Sequence, residues 1–358
     1  DPDYFPASYD NVLSVTIVDR QDQVPYYATL GRPIDIAAPG IQLLSTRSTN
    51  DNAYLPATGT SFSAPVVAGC AALVRKQFPA YTALQIAEQL RMTADDISQI
   101  PANQNKKEKI GRGRVNLFRA LTETNVVSVR NTHNIFTNGA FNTSSLAYGG
   151  DTLQITATFK NILTPVSNLQ ITLTCSSPYV TILQDNFSVG ALGTLATATN
   201  AAAPFSVYIS PEIPQNEVLE FRYSFSGNNY QDYQYFTMQA NPDFVIINVN
   251  DLQVTVTSRG NIGYDGLDYT QGEGVVFQNN NSLTAEGGLM VGTAPERVSD
   301  NIRNETGESD NDFFALQPVR KEGKPEFGDM SASGVMQDFF QDATAAGVRV
   351  THRAYAWQ

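Results

Sequence analysis

The hydrophobic period of this chain changes near residue 124, and that change restricts its fold more than any other feature. Before it, strand-like runs alternate with helical patterns, as an α/β domain requires. Val12 to Val18 (VLSVTIV) and Ile34 to Ala38 (IDIAA) read as buried strands. Ala64 to Val74 (APVVAGCAALV) is apolar on nearly every side and is bounded by Pro79, which predicts a helix inside the domain. Thr82 and Gln85 have capping-box spacing, and Ala83, Ile86, Ala87 and Leu90 form one apolar stripe, so a second helix is expected to pack on the core without being buried all round. The charge run Asn105 to Lys109 (NKKEK) reads as a solvated loop, and Arg112 to Leu121 (RGRVNLFRAL) as a short closing helix.

After residue 124 a period of two takes over. Leu153 to Phe159, Leu169 to Thr174, Phe205 to Ile209, Glu220 to Phe225 and Tyr235 to Gln239 alternate between apolar and polar residues, with turn residues at short spacing. That is the pattern of a β-sandwich. A further set begins at Phe244, with Phe244 to Asn248, Leu252 to Ser258 and Val275 to Gln278 punctuated by Gly260, Gly263, Gly266 and Gly272. The 358 residues suit two to three domains, and the expected division is 1–124, 125–241 and 242–358, with the second boundary near Asn241-Pro242. The chain ends just after an alternating run, Val348 to Trp357, so the third domain is expected to be cut short.

Charge narrows the partners. Lys and Arg number 23 against 35 Asp and Glu, a net charge of −12, which repels nucleic acid and anionic membrane alike. No apolar run reaches transmembrane length, and Asp1-Pro2-Asp3 has neither a Met nor a signal region, so the natural protein is expected to begin upstream. Cys70 and Cys175 fall in an apolar helix and a distant strand and are expected to be buried, unpaired thiols.

The segment Gly59-Thr60-Ser61-Phe62-Ser63-Ala64-Pro65 carries the chemistry. A small, flexible Gly-Thr turn delivers Ser61 to the head of a buried helix, where free N–H groups and the positive end of the helix dipole favour a developing negative charge. A nucleophile whose attack creates an oxyanion suits that place. Pro65 fits the same picture as a first-turn residue, whose missing N–H has no intrahelical partner to lose. The plain alternative is that Ser61 only caps a core helix.

This segment resembles the active-site serine motif of the subtilisin-like serine proteases. Three other segments follow the family in order: Pro6-Ala7-Ser8-Tyr9 with Asn11 to Val15, the turn Ala38-Pro39-Gly40, and Gly111-Arg112-Gly113-Arg114-Val115-Asn116 before the closing helix. The resemblance covers the first 124 residues and implies a partial α/β subtilisin-like domain with Ser61 as nucleophile. Ser63 stands where the family usually has Ala and is read as packing, and Val66 where many members have His. The family's chain order is Asp, His, then Ser, with an oxyanion Asn between His and Ser. All three are expected upstream of residue 1; Asp19 is not in the Asp motif, and His133 and His352 are read as surface or loop residues.

The resemblance implies that the chemistry needs no cofactor, that structural calcium (or sodium) has a weak carbonyl site at Ala7, Tyr9 and Val12, and that the matching Phe5-Pro6 bond is cis. Glu305, Glu308, Asp310 and Asp312 read as a solvated acidic turn rather than a calcium loop. Asn142, Asn186, Asn280 and Asn304 satisfy Asn-x-Ser/Thr, which marks at most exposed turns. The all-β remainder resembles the immunoglobulin-like modules of large secreted bacterial subtilases. Together these imply a secreted serine endopeptidase acting on protein or peptide substrates, whose partner is the missing N-terminal part of its catalytic domain; the competing class is a secreted binding or adhesion protein with a degenerate protease domain.

Overall fold

A computed structural model describes the chain except residues 1–4, 10, 139–140, 143–146, 264–271, 279, 281, 285, 304–309, 323–326 and 340–343, and the side chains of 141 and 142. It divides into two compact units that cut the chain elsewhere than the three-segment reading: Asp1–Thr137, Thr152–Tyr208 and Leu219–Thr237 form one, and Asn138–Asp151, Ile209–Val218 and Met238–Gln358 the other. Segment 1–124 thus shares a unit with most of the sandwich strands.

In the first unit, strands β1 (Val15–Val18) and β2 (Ile36–Pro39) pair in parallel, and β3 (Leu43–Thr46) and β4 (Tyr54–Ala57) form an antiparallel hairpin. Helix α1 (Thr60–Gln77) follows, longer at both ends than expected because Gly59 starts it and Arg75 and Lys76, favourable to the helix dipole, continue its last turn. Val67, Cys70 and Val74 face the core cluster of Ile36, Ala38, Ile86 and Leu90. The other side of α1 is exposed: Ala64, Pro65, Val66, Ala68, Gly69, Ala72 and Leu73 all face solvent. The expectation of a helix buried all round is therefore corrected.

Helix α2 (Ala83–Met92) has the predicted capping box, with the Gln85 N–H donating to Thr82 Oγ1 and the Thr82 N–H to Gln85 Oε1. As expected it is not buried all round, but its polar residues are buried as well as Ile86 and Leu90 of its apolar stripe. Gln85, Ile86, Glu88, Gln89, Leu90 and Arg91 are all buried, while Ala83 is exposed. A 3₁₀ helix (Pro101–Lys106) precedes α3 (Leu117–Thr122), which is shorter than expected. Gly111 and Gly113 have φ of 67° and 125°, and the Asn116 side chain accepts the Arg119 N–H as an N-cap, so the helix starts only after Asn116. Gly113 has no room for a side chain, since an added Cβ would lie 1.9 Å from the Asp95 carbonyl oxygen.

The sandwich strands are β5 (Val129–Asn138), β6 (Phe141–Asn142, in the second unit), β7 (Thr152–Asn161), β8 (Val166–Cys175), β9 (Val180–Gln184), β10 (Asn186–Leu192), β11 (Thr197–Thr199), β12 (Phe205–Ile209), β13 (Glu217–Gly227) and β14 (Tyr230–Ala240). One sheet runs β10-β8-β13-β14; the other contains β5-β7-β12-β9, with β11 on β7. Alternate residues of β7, Leu153, Ile155, Ala157 and Phe159, are buried, as the period of two predicts. Phe159 meets Tyr223 edge-on at 5.0 Å in the core.

Segment 1–124 meets these strands at two places within the first unit. At one, Arg91 reaches Asp232 of β14 at 2.5 Å and Glu88 at 2.8 Å, with Arg91 3 % and Asp232 0 % exposed, and Glu88 accepts the Ser128 hydroxyl. At the other, Arg32 makes a paired contact to Glu220 and lies over the Tyr235 ring, while Glu108 bonds Arg222 and Tyr235. The run Asn105 to Lys109 is solvated at Asn105, Lys107 and Lys109, as expected, but it begins in the end of a 3₁₀ helix and Glu108 is pinned by residues more than a hundred positions away.

The second unit holds β15 (Phe244–Ile247), β16 (Leu252–Thr257) and β17 (Val275–Phe277) in one antiparallel sheet, the hairpin β18 (Met290–Ala294) and β19 (Arg297–Asp300), and a sheet of β20 (Phe313–Lys321), β21 (Met330–Asp338) and β22 (Arg349–Ala356). Val245, Ile247, Val319, Ala332 and Ala356 are its core. The strands expected from Phe244 onward are present. Cys70 and Cys175 are unpaired as expected, with Cys175 only half-buried, and the Phe5-Pro6 bond is cis.

Candidate active site

Parallel β1 and β2 end together at Val18 and Pro39, and the turn after β2 is tied to the head of α1. The Gly40 N–H donates to the Val18 carbonyl, the Gly59 N–H to the Gly40 carbonyl at 3.0 Å, and the Ser63 hydroxyl to the Ala38 carbonyl at 3.1 Å. Ser63 is fully buried, which agrees with its reading as packing. Glycine is required at 40 by contact: an added Cβ would lie 2.1 Å from Ser63 Oγ and 2.8 Å from the Gly59 carbonyl oxygen.

This clamp presents Ser61 as the second residue of α1, exposed at the carboxyl ends of the two strands. Gly59 occupies the cap position and no side chain caps the helix, so the capping alternative for Ser61 does not hold. The first-turn N–H groups have no intrahelical acceptor four residues back, and no acidic residue lies in that turn to consume their positive field. The arrangement pairs an accessible hydroxyl with donors suited to a developing oxyanion. Pro65 requires a correction. Because the helix starts at Thr60, Pro65 lies in its second turn, and its missing N–H leaves the Ser61 carbonyl without the usual partner four residues on.

Asp19 stabilises a loop, its carboxylate accepting the N–H groups of Gln21 and Gln23 at 2.8 Å. His133 is exposed on β5 and His352 half-buried on β22, so both lie in strands rather than loops. Burial holds the His352 imidazole below its usual range. Among the described residues no cluster of three or more His, Cys, Asp or Glu could hold a metal. At the carbonyl cation site, Tyr9 already accepts the Val12 N–H, leaving that oxygen one lone pair. Asp312 accepts the Asp300 N–H, and Asn186 and Asn280 are exposed; Glu305, Glu308, Asn304, Gly266 and the Asn142 side chain lie outside the described residues.

Sequence reading missed the ionic cluster beneath β2. Asp35, just before β2, accepts the Ser14 N–H at 2.9 Å and has Arg130 of β5 at 4.0 Å; Arg130 also lies 3.8 Å from Glu88. Burial pushes the Asp35 carboxyl up to about 6. Burial acts on Glu88 in the same sense, yet Arg91 and Arg130 outweigh it and hold Glu88 below the ordinary carboxylate range. Asp232 is likewise held low against burial, chiefly by Arg91. The available signal was Glu88 and Arg91 at i, i+3 in a helix whose other face is apolar.

Residues 1–169 match the subtilase family model, a span that runs past the protease-like segment into β8. The chain is 41% identical over 90 residues to a thermostable alkaline protease of Halalkalibacterium halodurans, covering 25% of this chain and 24% of that protein. It is 36% identical over 117 residues to thermitase of Thermoactinomyces vulgaris, covering 33% and 38%. A solved protease structure from Pseudoalteromonas arctica PAMC 21717 is 29% identical, covering 33% of this chain and 37% of that one, at a TM-score of 0.29. The chain spans about a quarter to two fifths of the length of these relatives. The four motifs in order and these sequence matches make residues 1–169 similar to the subtilase family of serine proteases, and β-strands make up most of the chain that follows.

Proposed function

We propose that the protein is a secreted serine endopeptidase that hydrolyses peptide bonds through an acyl-enzyme on Ser61. A histidine from the upstream part of the catalytic domain, oriented by an upstream Asp, takes the Ser61 proton as Oγ attacks the peptide carbonyl. The Ser61 N–H and an upstream Asn hold the oxyanion; the histidine then protonates the leaving amine, and water hydrolyses the ester. The observation that supports this most is the exposed Ser61 hydroxyl, uncapped and clamped at the head of α1 by the Gly59–Gly40 and Ser63–Ala38 bonds.

The chemistry uses no metal; calcium belongs to the proposal only as a structural ion. The two-sheet arrangement of β5 to β14 supports an immunoglobulin-like reading of the sandwich. The upstream segment is the partner that completes the catalytic domain and covers the apolar outer face of α1. The test compares three proteins on an unfolded protein substrate. The full-length protein should cleave it, while its Ser61→Ala version and the 358-residue chain alone should not. Cleavage surviving in Ser61→Ala removes Ser61 as nucleophile, and an inert full-length protein with an intact upstream Asp and His favours the adhesion reading.

A further inference from the structure

We infer that the β-sandwich positions the seat of Ser61, with Arg130 of β5 as the positioning residue. The inference rests on the protease reading only for its catalytic consequence. Asp35 fixes the entry of both parallel strands: its carboxylate accepts the Ser14 N–H just before β1, its own N–H donates to the Ser14 carbonyl, and its carbonyl accepts the Arg112 N–H. Arg130, Asp35's partner on the sandwich, bridges to Glu88 of α2. Glu88 in turn shares Arg91 with Asp232 of β14, so two sandwich strands grip α2 and the start of β2 together.

Four residues beyond Asp35, β2 ends in the turn whose Ala38 and Gly40 carbonyls hold Ser63 and Gly59. A four-residue strand buried at Ile36, Ala37 and Ala38 is too short and too confined to absorb a shift at one end without moving the other. The sandwich is in this account a fixed part of the catalytic scaffold, not a module on a tether.

Amide hydrogen exchange on the whole 358-residue chain tests it. Arg130→Ala should speed exchange at Gly40 and Gly59 by about tenfold or more and leave β20, β21 and β22 unchanged, and Arg130→Lys should restore most of the protection. In the full-length protein Arg130→Ala should also slow labelling of Ser61 by a serine-reactive phosphonate, and Arg130→Lys should recover it. If the alanine variant does not fold, Arg130→Gln carries the same reading. Exchange quickened only in β5 and α2, with Gly40 and Gly59 as protected as before, overturns the inference. Loosening at Gly40 and Gly59 in a full-length protein that never labels at Ser61 keeps the coupling and overturns the protease reading instead.

Discussion

The two long helices of the first unit exchange the roles their sequences suggest. Helix α1 is rich in Ala and Val yet exposes a whole side, with Leu73 47% accessible, whereas α2 carries Gln, Glu and Arg yet buries six of its ten residues. The difference comes from what is seated on each helix. The α2 face toward the sandwich is covered by Asp232, Ser128 and Arg130, and its apolar flank at Leu84 and Met92 by Val126, Ile162 and Leu163. Composition reports what a helix tolerates, and its neighbours decide what is buried.

If the ionic cluster is what makes α2 an interior helix, removing its centre should have the largest effect. Arg91→Met leaves the buried Glu88 and Asp232 with only the longer ionic contacts to Arg130 at 3.8 Å and Arg112 at 3.6 Å, and the first unit should lose about 3–5 kcal/mol in chemical denaturation. A loss under 1 kcal/mol would mean that the cluster is ornamental and the apolar flank holds α2.

Asp35 should supply a pH dependence of opposite sign to its neighbours. Its folded carboxyl keeps a proton to about 6, whereas the unfolded one releases it near 3.8, so the folded state binds more protons between those values. Its stabilising contribution is complete below pH 4 and is lost as pH rises through 6, up to about 3 kcal/mol at 1.36 kcal/mol per pKa unit. Glu88 and Asp232, held low when folded, stabilise above pH 4 and lose their contribution as pH falls below it. Stability measured from pH 3 to 8 should therefore peak near pH 4 and decline toward pH 6, and Asp35→Asn should flatten that decline; an unchanged decline would remove Asp35 as its origin.

At the serine seat the expected effect is smaller. Gly40→Ala should cost about 1–3 kcal/mol because the new methyl meets Ser63 Oγ and the Gly59 carbonyl. Adding Ser63→Ala should recover only part, since the Gly59 and Ile17 contacts remain; full recovery in a double-mutant cycle would reduce the clamp to one side-chain clash.

The smallest effect belongs to the outer face of α1. Val66→Ser and Leu73→Lys should each change the stability of this chain by no more than about 0.5 kcal/mol. A larger loss would show that this face is packed in solution and would break the contrast with α2.

Much of this was legible locally. The capping box of α2, the strands at Val15 to Val18 and Ile36 to Pro39, the alternation of β7 and the placement of Ser61 at a helix head depend on neighbouring residues, which a sequence displays directly. Long-range partners were not legible. Glu108 looked solvated because Arg222 and Tyr235 lie 114 and 127 positions away. Pro65 was misplaced by one turn because Thr60, a poor helix former, nonetheless begins α1 once the Gly40 and Gly59 backbones are tied. The exposed side of α1 and the buried side of α2 depend on segments far along the chain, and neither period nor composition carries that information.

The central claim is that Ser61 is a nucleophile held ready at the head of α1. It is tested most directly by treating the full-length protein with a serine-reactive phosphonate and mapping the adduct by peptide mass spectrometry. The account predicts one adduct, on Ser61, absent after Ser61→Ala and after loss of the upstream histidine. An adduct on another serine, or none at all in a protein whose upstream Asp and His are intact, would contradict it.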